Sequence, residues 1–230
     1  MTQPPFGVLY VDNHLLVVDK PAGMLTQGDA TGDPDLVSHA KAYLKERFKR
    51  PGDVFVGLVH RLDRPVGGVV VLARTSKAAA RLSAQFAGRD VEKRYLAVVE
   101  GRLEGAGERV DWLVKGERGT VHRVPEGTTG AKRAALRWES LAVEGRRTLV
   151  GVDLETGRAH QIRVQLAWLG VHVVGDLRYG AKTPLGDGRG IALHAVRLGI
   201  EHPTLRERAV FASRPPWRGL LDEAVARVTK

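Results

Sequence analysis

Apolar and polar positions along the chain sort into stretches that alternate, stretches with near-helical spacing, and one stretch with no polar interruption. That last one, Val66 to Leu72, predicts a central strand covered on both faces. Val8-Leu9-Tyr10-Val11 and Leu15-Leu16-Val17-Val18 flank Asp12-Asn13-His14 and predict two short strands joined by a tight turn; Lys20-Pro21-Ala22-Gly23 ends the second. Tyr95 to Val99, Leu149 to Leu154 and Ile191 to Ile200 predict three more strands.

Helical spacing begins after Asp33-Pro34-Asp35. These supply an N-cap, a proline at the first helical position and an acid in the first turn, and Leu36, Val37, Ala40, Tyr43 and Leu44 then share a face as far as about Phe48. Ser76 caps a second helix through Ala87, with Ala79, Leu82 and Phe86 on one side and Gly88 as terminator. A third runs from Arg158 to Leu169 on a stripe of Ile162, Leu166 and Leu169, with Gly170 after it and Arg163 one step off the stripe. Leu220, Leu221, Ala224, Val225 and Val228 suggest a final helix. Strands mixed irregularly with a few helices predict an α+β fold on a mainly antiparallel sheet. There is no internal repeat, low-complexity tract or evident linker.

A length of 230 residues allows one large domain or two small ones. No apolar stretch approaches the roughly 20 residues that span a bilayer. The start Met1-Thr2-Gln3-Pro4-Pro5 lacks the layout of a secretory signal, so the expected compartment is the cytoplasm. With no cysteine, disulfides, thiolate nucleophiles and the usual structural zinc sites are excluded. The eight histidines are scattered, without His-Glu-x-x-His or a close helical pair, and no metal is expected. A formal charge of +10 changes the picture more, because basic side chains gain free energy by displacing counterions from phosphates. The expected partner is a nucleic acid, although an aromatic content of 6% argues against a broad stacking platform for single strands. From Lys115 to Arg147, short strand-like pieces such as Ala134-Ala135-Leu136-Arg137-Trp138 alternate with loops rich in Gly, Arg and Lys, the expected place for mobile RNA-contacting loops. The basic cluster Lys45, Arg47, Lys49 and Arg50 suits a solvated helix end as well as an RNA contact. Gly186-Asp187-Gly188-Arg189-Gly190 precedes a strand rather than a helix and reads as a turn, not a phosphate loop.

The chemistry concentrates where His60-Arg61-Leu62-Asp63-Arg64-Pro65-Val66-Gly67-Gly68 enters the uninterrupted apolar run. A carboxylate so close to a buried strand is pushed toward its neutral form unless a cation favours the anion, so Asp63 requires a partner or a purpose. This stretch resembles the signature of the RluA-type pseudouridine synthases. Lys93-Arg94-Tyr95-Leu96-Ala97 and Thr156-Gly157-Arg158-Ala159-His160-Gln161-Ile162-Arg163 resemble two further family segments. Lys20-Pro21-Ala22-Gly23 precedes them, Gly175-Asp176-Leu177-Arg178-Tyr179-Gly180 and Leu193-His194-Ala195 follow, and the likeness runs from about Leu9 to about Pro216. One departure is Gly67-Gly68, where many members carry Ser-Gly or Thr-Gly, so a small hydroxyl beside the aspartate is missing.

The resemblance implies a single catalytic domain over residues 1–230 on a long, bent, mixed sheet flanked by helices and loops, with no separate N-terminal RNA-binding domain. It implies a cofactor-free isomerase acting on uridines of structured RNA, either rRNA or tRNA, with a monomer as the default state. Asp63 matches the catalytic aspartate, Tyr95 the tyrosine that packs against the target base, and Arg163 the cation partner of Asp63. Arg61 matches the arginine that takes the space of the extruded nucleotide, since an enzyme acting on a base must take it out of its stack. His60, expected to orient the Asp63 loop, joins Arg64, Arg158 and Lys20 as candidate RNA contacts. Leu62, Ile162 and Leu193 are candidate apolar walls, and Asp176 reads as a turn residue. Two rivals remain at this stage: an inactive RNA-binding or ribosome-assembly protein on the same fold, and a hydrolase acting on a nucleoside or glycoside, which normally requires a second carboxylate.

Overall fold

The structure, a computed structural model, describes residues 3–49 and 51–229. In chain order it folds β1 (Gly7–Val11), β2 (Leu15–Lys20), α1 (Leu36–Arg47), β3 (Gly57–Leu58), β4 (Gly67–Ala73) and α2 (Ser76–Gly88). Next come β5 (Glu92–Glu100), β6 (Ala106–Lys115), β7 (Val121–Val124), β8 (Lys132–Glu144), β9 (Arg147–Leu154) and α3 (Gln161–Trp168). The last elements are β10 (His172–Val173), β11 (Leu193–Glu201), β12 (Arg208–Ala212) and α4 (Asp222–Val228). The architecture is α+β with mainly antiparallel pairing, as the patterning predicts. No helix among the described residues is long and apolar enough to cross a membrane.

Contacts divide the chain into two compact, interleaved units, Met1–Glu92 with Arg197–Ser213 and Lys93–Val196 with Arg214–Lys230. In the first, β1 pairs β2 and β2 pairs β4, with Leu15 opposite Ala73 and Lys20 opposite Gly68. Every residue of β4 is buried, as its unbroken apolar run requires. Its Val69 and Val71 pack with Leu15 and Val17 of β2 and with Ala78 and Leu82 of α2. Gly68 has φ 118°, a conformation that a side-chain-bearing residue would resist. In the second unit β5 pairs β9, β9 pairs β8, and β8 pairs β6, which carries β7. Leu113, Val121, Ala134 and Val164 form a core between these strands and α3.

Several expected boundaries shift for identifiable reasons. The cap of α1 is Asp35, not Asp33: its carboxylate accepts from Ser38 N (3.1 Å) and Ser38 Oγ (2.8 Å), leaving Pro34 outside the helix. Thr75 rather than Ser76 caps α2, and its terminator is Arg89 in the left-handed region (φ 66°) rather than Gly88. Arg158 to His160 precede α3, and every residue from Gln161 to Leu166 is buried, so the helix is embedded instead of carrying one apolar stripe. The segment expected as short pieces with loops contains the 13-residue β8, within which Ala134 to Trp138 lie, paired to the ten-residue β6. Arg50 of the basic cluster lies outside the described residues; Lys45, Arg47 and Lys49 are exposed. The Gly186–Gly190 stretch is a turn closed by a bridge between Leu185 and Gly190.

Candidate active site

Asp63 lies in the first unit, half-buried in the loop between β3 and β4. The loop is fastened at successive residues. Leu62 O accepts from the buried Thr26 hydroxyl (2.7 Å), Asp63 O from Val66 N (3.0 Å) and Arg64 O from Gly23 N (2.8 Å). Beneath it lies the ammonium of Lys20, whose residue has no exposed surface and which donates to Met24 O (2.8 Å), Pro21 O (3.1 Å) and Arg64 O (3.4 Å). Burial pulls the Lys20 pKa down to about 7; the Asp63 carboxylate is the strongest influence opposing that fall. Lys20, expected among the RNA contacts, is therefore a correction: fully enclosed, it cannot reach a phosphate and instead ties the end of β2 to the Asp63 loop.

His60 anchors the same loop. Its ring stacks on Phe86 (centroids 4.5 Å apart, 16° between planes) and its Nε2 accepts from Val71 N at 3.0 Å. A backbone N–H can only donate, so Nε2 is the accepting nitrogen of this contact. Arg64 is exposed; its Nε donates to Gly23 O (3.1 Å) and its Nη2 lies 2.6 Å from Asp33 Oδ2. Such an exposed pair contributes at most about 1 kcal/mol, which leaves Arg64 free to change partners. Arg61 is exposed and Leu62 is buried at 5%.

The second unit holds Tyr95, Arg158, Ile162, Arg163 and Leu193. Tyr95 is half-buried on β5, opposite Val152 of β9, while its neighbour Arg94 engages Asp153 and Glu139 from β9 and β8. The loop ahead of α3 is fixed by Gln161, whose Oε1 accepts from Thr156 Oγ1 (2.7 Å) and Arg158 N (3.0 Å) and whose Nε2 donates to Ala135 O (3.0 Å). Arg158 itself bonds through Nε to Arg133 O (2.9 Å). Ile162 and Leu193 are buried at 4% and 3%.

Arg163 is 5% exposed and grips Asp176, itself 2% exposed, through Nε to Oδ2 (2.6 Å) and Nη2 to Oδ1 (2.7 Å). Asp176, read from the sequence as a turn residue, is thus the carboxylate that orients this guanidinium. A planar fork is the side chain suited to such a contact. The guanidinium also lies 4.9 Å from the centroid of the Tyr179 ring. The Tyr179 hydroxyl accepts from Val121 N (2.9 Å) and sits 2.7 Å from His160 Nδ1. Burial raises the Tyr179 pKa, so the phenol keeps its proton at neutral pH. Tyr179 lies in the family-like segment Gly175–Gly180, where the resemblance implies no role for it. The signal for both residues is the glycine pair around them, Gly175 (φ 87°) and Gly180 (φ 103°), which folds the segment tightly enough to turn Asp176 inward. Among the described residues no group of three or more histidines and carboxylates could hold a metal ion.

Residues 14–168 match the family model described as RNA pseudouridylate synthase. The chain is 38% identical over 228 residues to a ribosomal large subunit pseudouridine synthase D of Xanthomonas campestris, spanning 92% of this chain and 66% of that protein, about two thirds of its length. It is 31% identical over 240 residues to a tRNA pseudouridine synthase C of Yersinia pestis, covering 94% of this chain and 90% of that one. Among solved structures, human RNA Pseudouridylate Synthase Domain Containing 4 superposes with a TM-score of 0.77 at 23% identity over 96% of this chain and 92% of that one, a likeness of fold.

Two measurements check the buried cations. Asp176→Asn should lower the unfolding free energy by about 3–5 kcal/mol in urea denaturation, because it leaves a buried guanidinium without its counter-charge. For Lys20, folded and unfolded chains both carry the charge below pH 7. Above about 7 the folded state releases the proton while the unfolded lysine holds it to about 10.5. The unfolded state then binds more protons, so this residue's contribution makes stability climb between pH 7 and 10, and Lys20→Met should remove that rise. Equal slopes in parent and variant would refute the assignment.

Proposed function

The chain belongs to the RNA pseudouridylate synthase family, and we propose that it isomerises uridine in structured RNA to pseudouridine with Asp63 as the reacting carboxylate. The support is local to the chain: a half-buried carboxylate on a loop tied down at Leu62, Asp63 and Arg64, with a buried ammonium acting on it from below, inside the matched region. In the reaction the N1–C1′ bond of the nucleotide breaks, the uracil rotates, C5 bonds to C1′, and the proton leaving C5 is balanced by one gained at N1. Composition and oxidation state are unchanged, so the chemistry calls for no co-reactant. Asp63 acts by attacking C1′ or C6, or by taking the C2′ proton to give a glycal; each path begins from the ionised form.

Tyr95 is proposed to pack against the target base and assist proton removal at C5, and Arg163, aimed by Asp176, to supply the positive charge of the catalytic set. Leu62, Ile162 and Leu193 would keep water from the loosened base, so that it re-bonds instead of departing. Arg61, exposed at the start of the loop, is proposed to fill the place of the extruded nucleotide, with Arg64 and Arg158 as further RNA contacts. The substrate is proposed to be a uridine of rRNA or tRNA, modified in the cytoplasm by the monomer; of the two relatives compared above, one is named for the ribosomal large subunit and the other for tRNA.

The test uses RNA from cells lacking the gene, with pseudouridine mapped after carbodiimide treatment. The parent protein should restore at least one site. Asp63→Asn should restore none while keeping RNA affinity within about tenfold, since contacts to phosphates dominate binding. Equal activity in the two proteins would contradict the role of Asp63, and no site restored in any RNA class would favour an inactive RNA-binding protein.

A further inference from the structure

Trp168 ends α3 with 55% of its surface exposed, an unusual place for so large an apolar ring. The guanidinium of Arg123, from β7, lies 4.8 Å from the centroid of that ring. This arginine is held in place rather than free to sweep the solvent: its Nε is 2.6 Å from Asp111 Oδ1. Asp111, 4% exposed, also receives Arg109 Nε at 2.8 Å and Gln165 Nε2 at 2.8 Å. Two guanidinium groups therefore share one carboxylate, and the cluster keeps a net positive charge. Its buried floor fixes the orientation of the planar group at the surface, where 42% of the Arg123 side chain remains exposed.

From this geometry we infer that Trp168 and Arg123 form a stacking site for one unpaired RNA base, distinct from the target uridine. The inference rests on the functional reading given above and adds a specificity element to it. A flat indole carrying an ordered guanidinium offers two surfaces on which bases stack, and the surplus charge suits the attached phosphate. An apolar protein partner would gain nothing from that charge. Trp168 lies five residues after Arg163 on the same helix, an axial rise of about 7.5 Å, so the stacked base belongs to RNA near the reacting nucleotide. The low aromatic content is consistent with a single such position rather than an extended platform.

The experiment titrates the full chain with octaadenylate, an unpaired probe, and in parallel with inorganic polyphosphate, which carries charge without bases. Octaadenylate should quench the tryptophan fluorescence of the parent, and Trp168→Leu should weaken its binding by about 5- to 100-fold. Trp168→Phe should keep binding within about threefold, and Arg123→Lys, which retains the charge but not the flat face, should weaken it several-fold. Polyphosphate binding should be indifferent to Trp168. Octaadenylate binding that is equal in the parent and Trp168→Leu, or absent from both, would overturn the proposal. So would the same dependence on Trp168 with polyphosphate, and so would tight capture of an apolar peptide in place of the oligonucleotide. Failure of the parent to form pseudouridine in cellular RNA would sink the functional reading instead, and this titration would still report on the stack.

Discussion

The ammonium of Lys20, enclosed beneath the loop that carries Asp63, is the contact on which the placement of that loop depends. Desolvating a cation is costly, and three backbone carbonyls and the nearby Asp63 carboxylate offset part of that cost. Those carbonyls belong to residues 21, 24 and 64, so one side chain joins the end of β2, the turn after it and the loop after β3. The exposed Arg64–Asp33 pair ties the loop after β3 to the segment ahead of α1 but is open to solvent, where an ion pair stabilises little. Of the two, the buried clasp dominates, and through it the position of Asp63 is set by the backbone instead of by surface charge.

The second unit solves the same physical problem with a different residue. Its buried cation is Arg163, fixed by both oxygens of Asp176 and lying beside the ring of Tyr179. Around it α3 carries Gln161, Arg163 and Gln165 as buried polar side chains, each bonded to a strand or turn group. A helix so embedded cannot rotate without breaking several of these bonds at once, which gives the guanidinium a fixed direction.

Much of this was legible in the sequence, and the gaps have physical causes. The apolar runs of β2, β4 and β5 were legible because a strand buried on both faces carries apolar side chains without interruption. The caps of α1 and α2 were misplaced by one or two residues because Asp33 and Asp35, and likewise Thr75 and Ser76, offer equivalent oxygens, and only the carboxylate or hydroxyl facing Ser38 or Ala78 decides. Only the Ala134–Trp138 part of β8 was legible, because the charged Lys132, Arg133 and Arg137 surround a short buried run, although an exposed strand face accepts such residues. Lys20 looked like an RNA contact because its partners are carbonyls, which no side-chain pattern reveals. Asp63, Tyr95 and Arg163 stood out through their motifs, whereas Asp176, the group that aims Arg163, looked like an ordinary turn acid until its burial was visible.

As proposed, Asp63 rearranges a uridine without letting its base escape. The most direct test is the mass balance of the reaction: RNA from cells lacking the gene is incubated with the protein, digested to nucleosides, and assayed for uridine, pseudouridine and free uracil. Uridine lost should equal pseudouridine gained, with no uracil released. Uracil appearing in proportion to the uridine lost would contradict it and identify a glycosidic hydrolase instead.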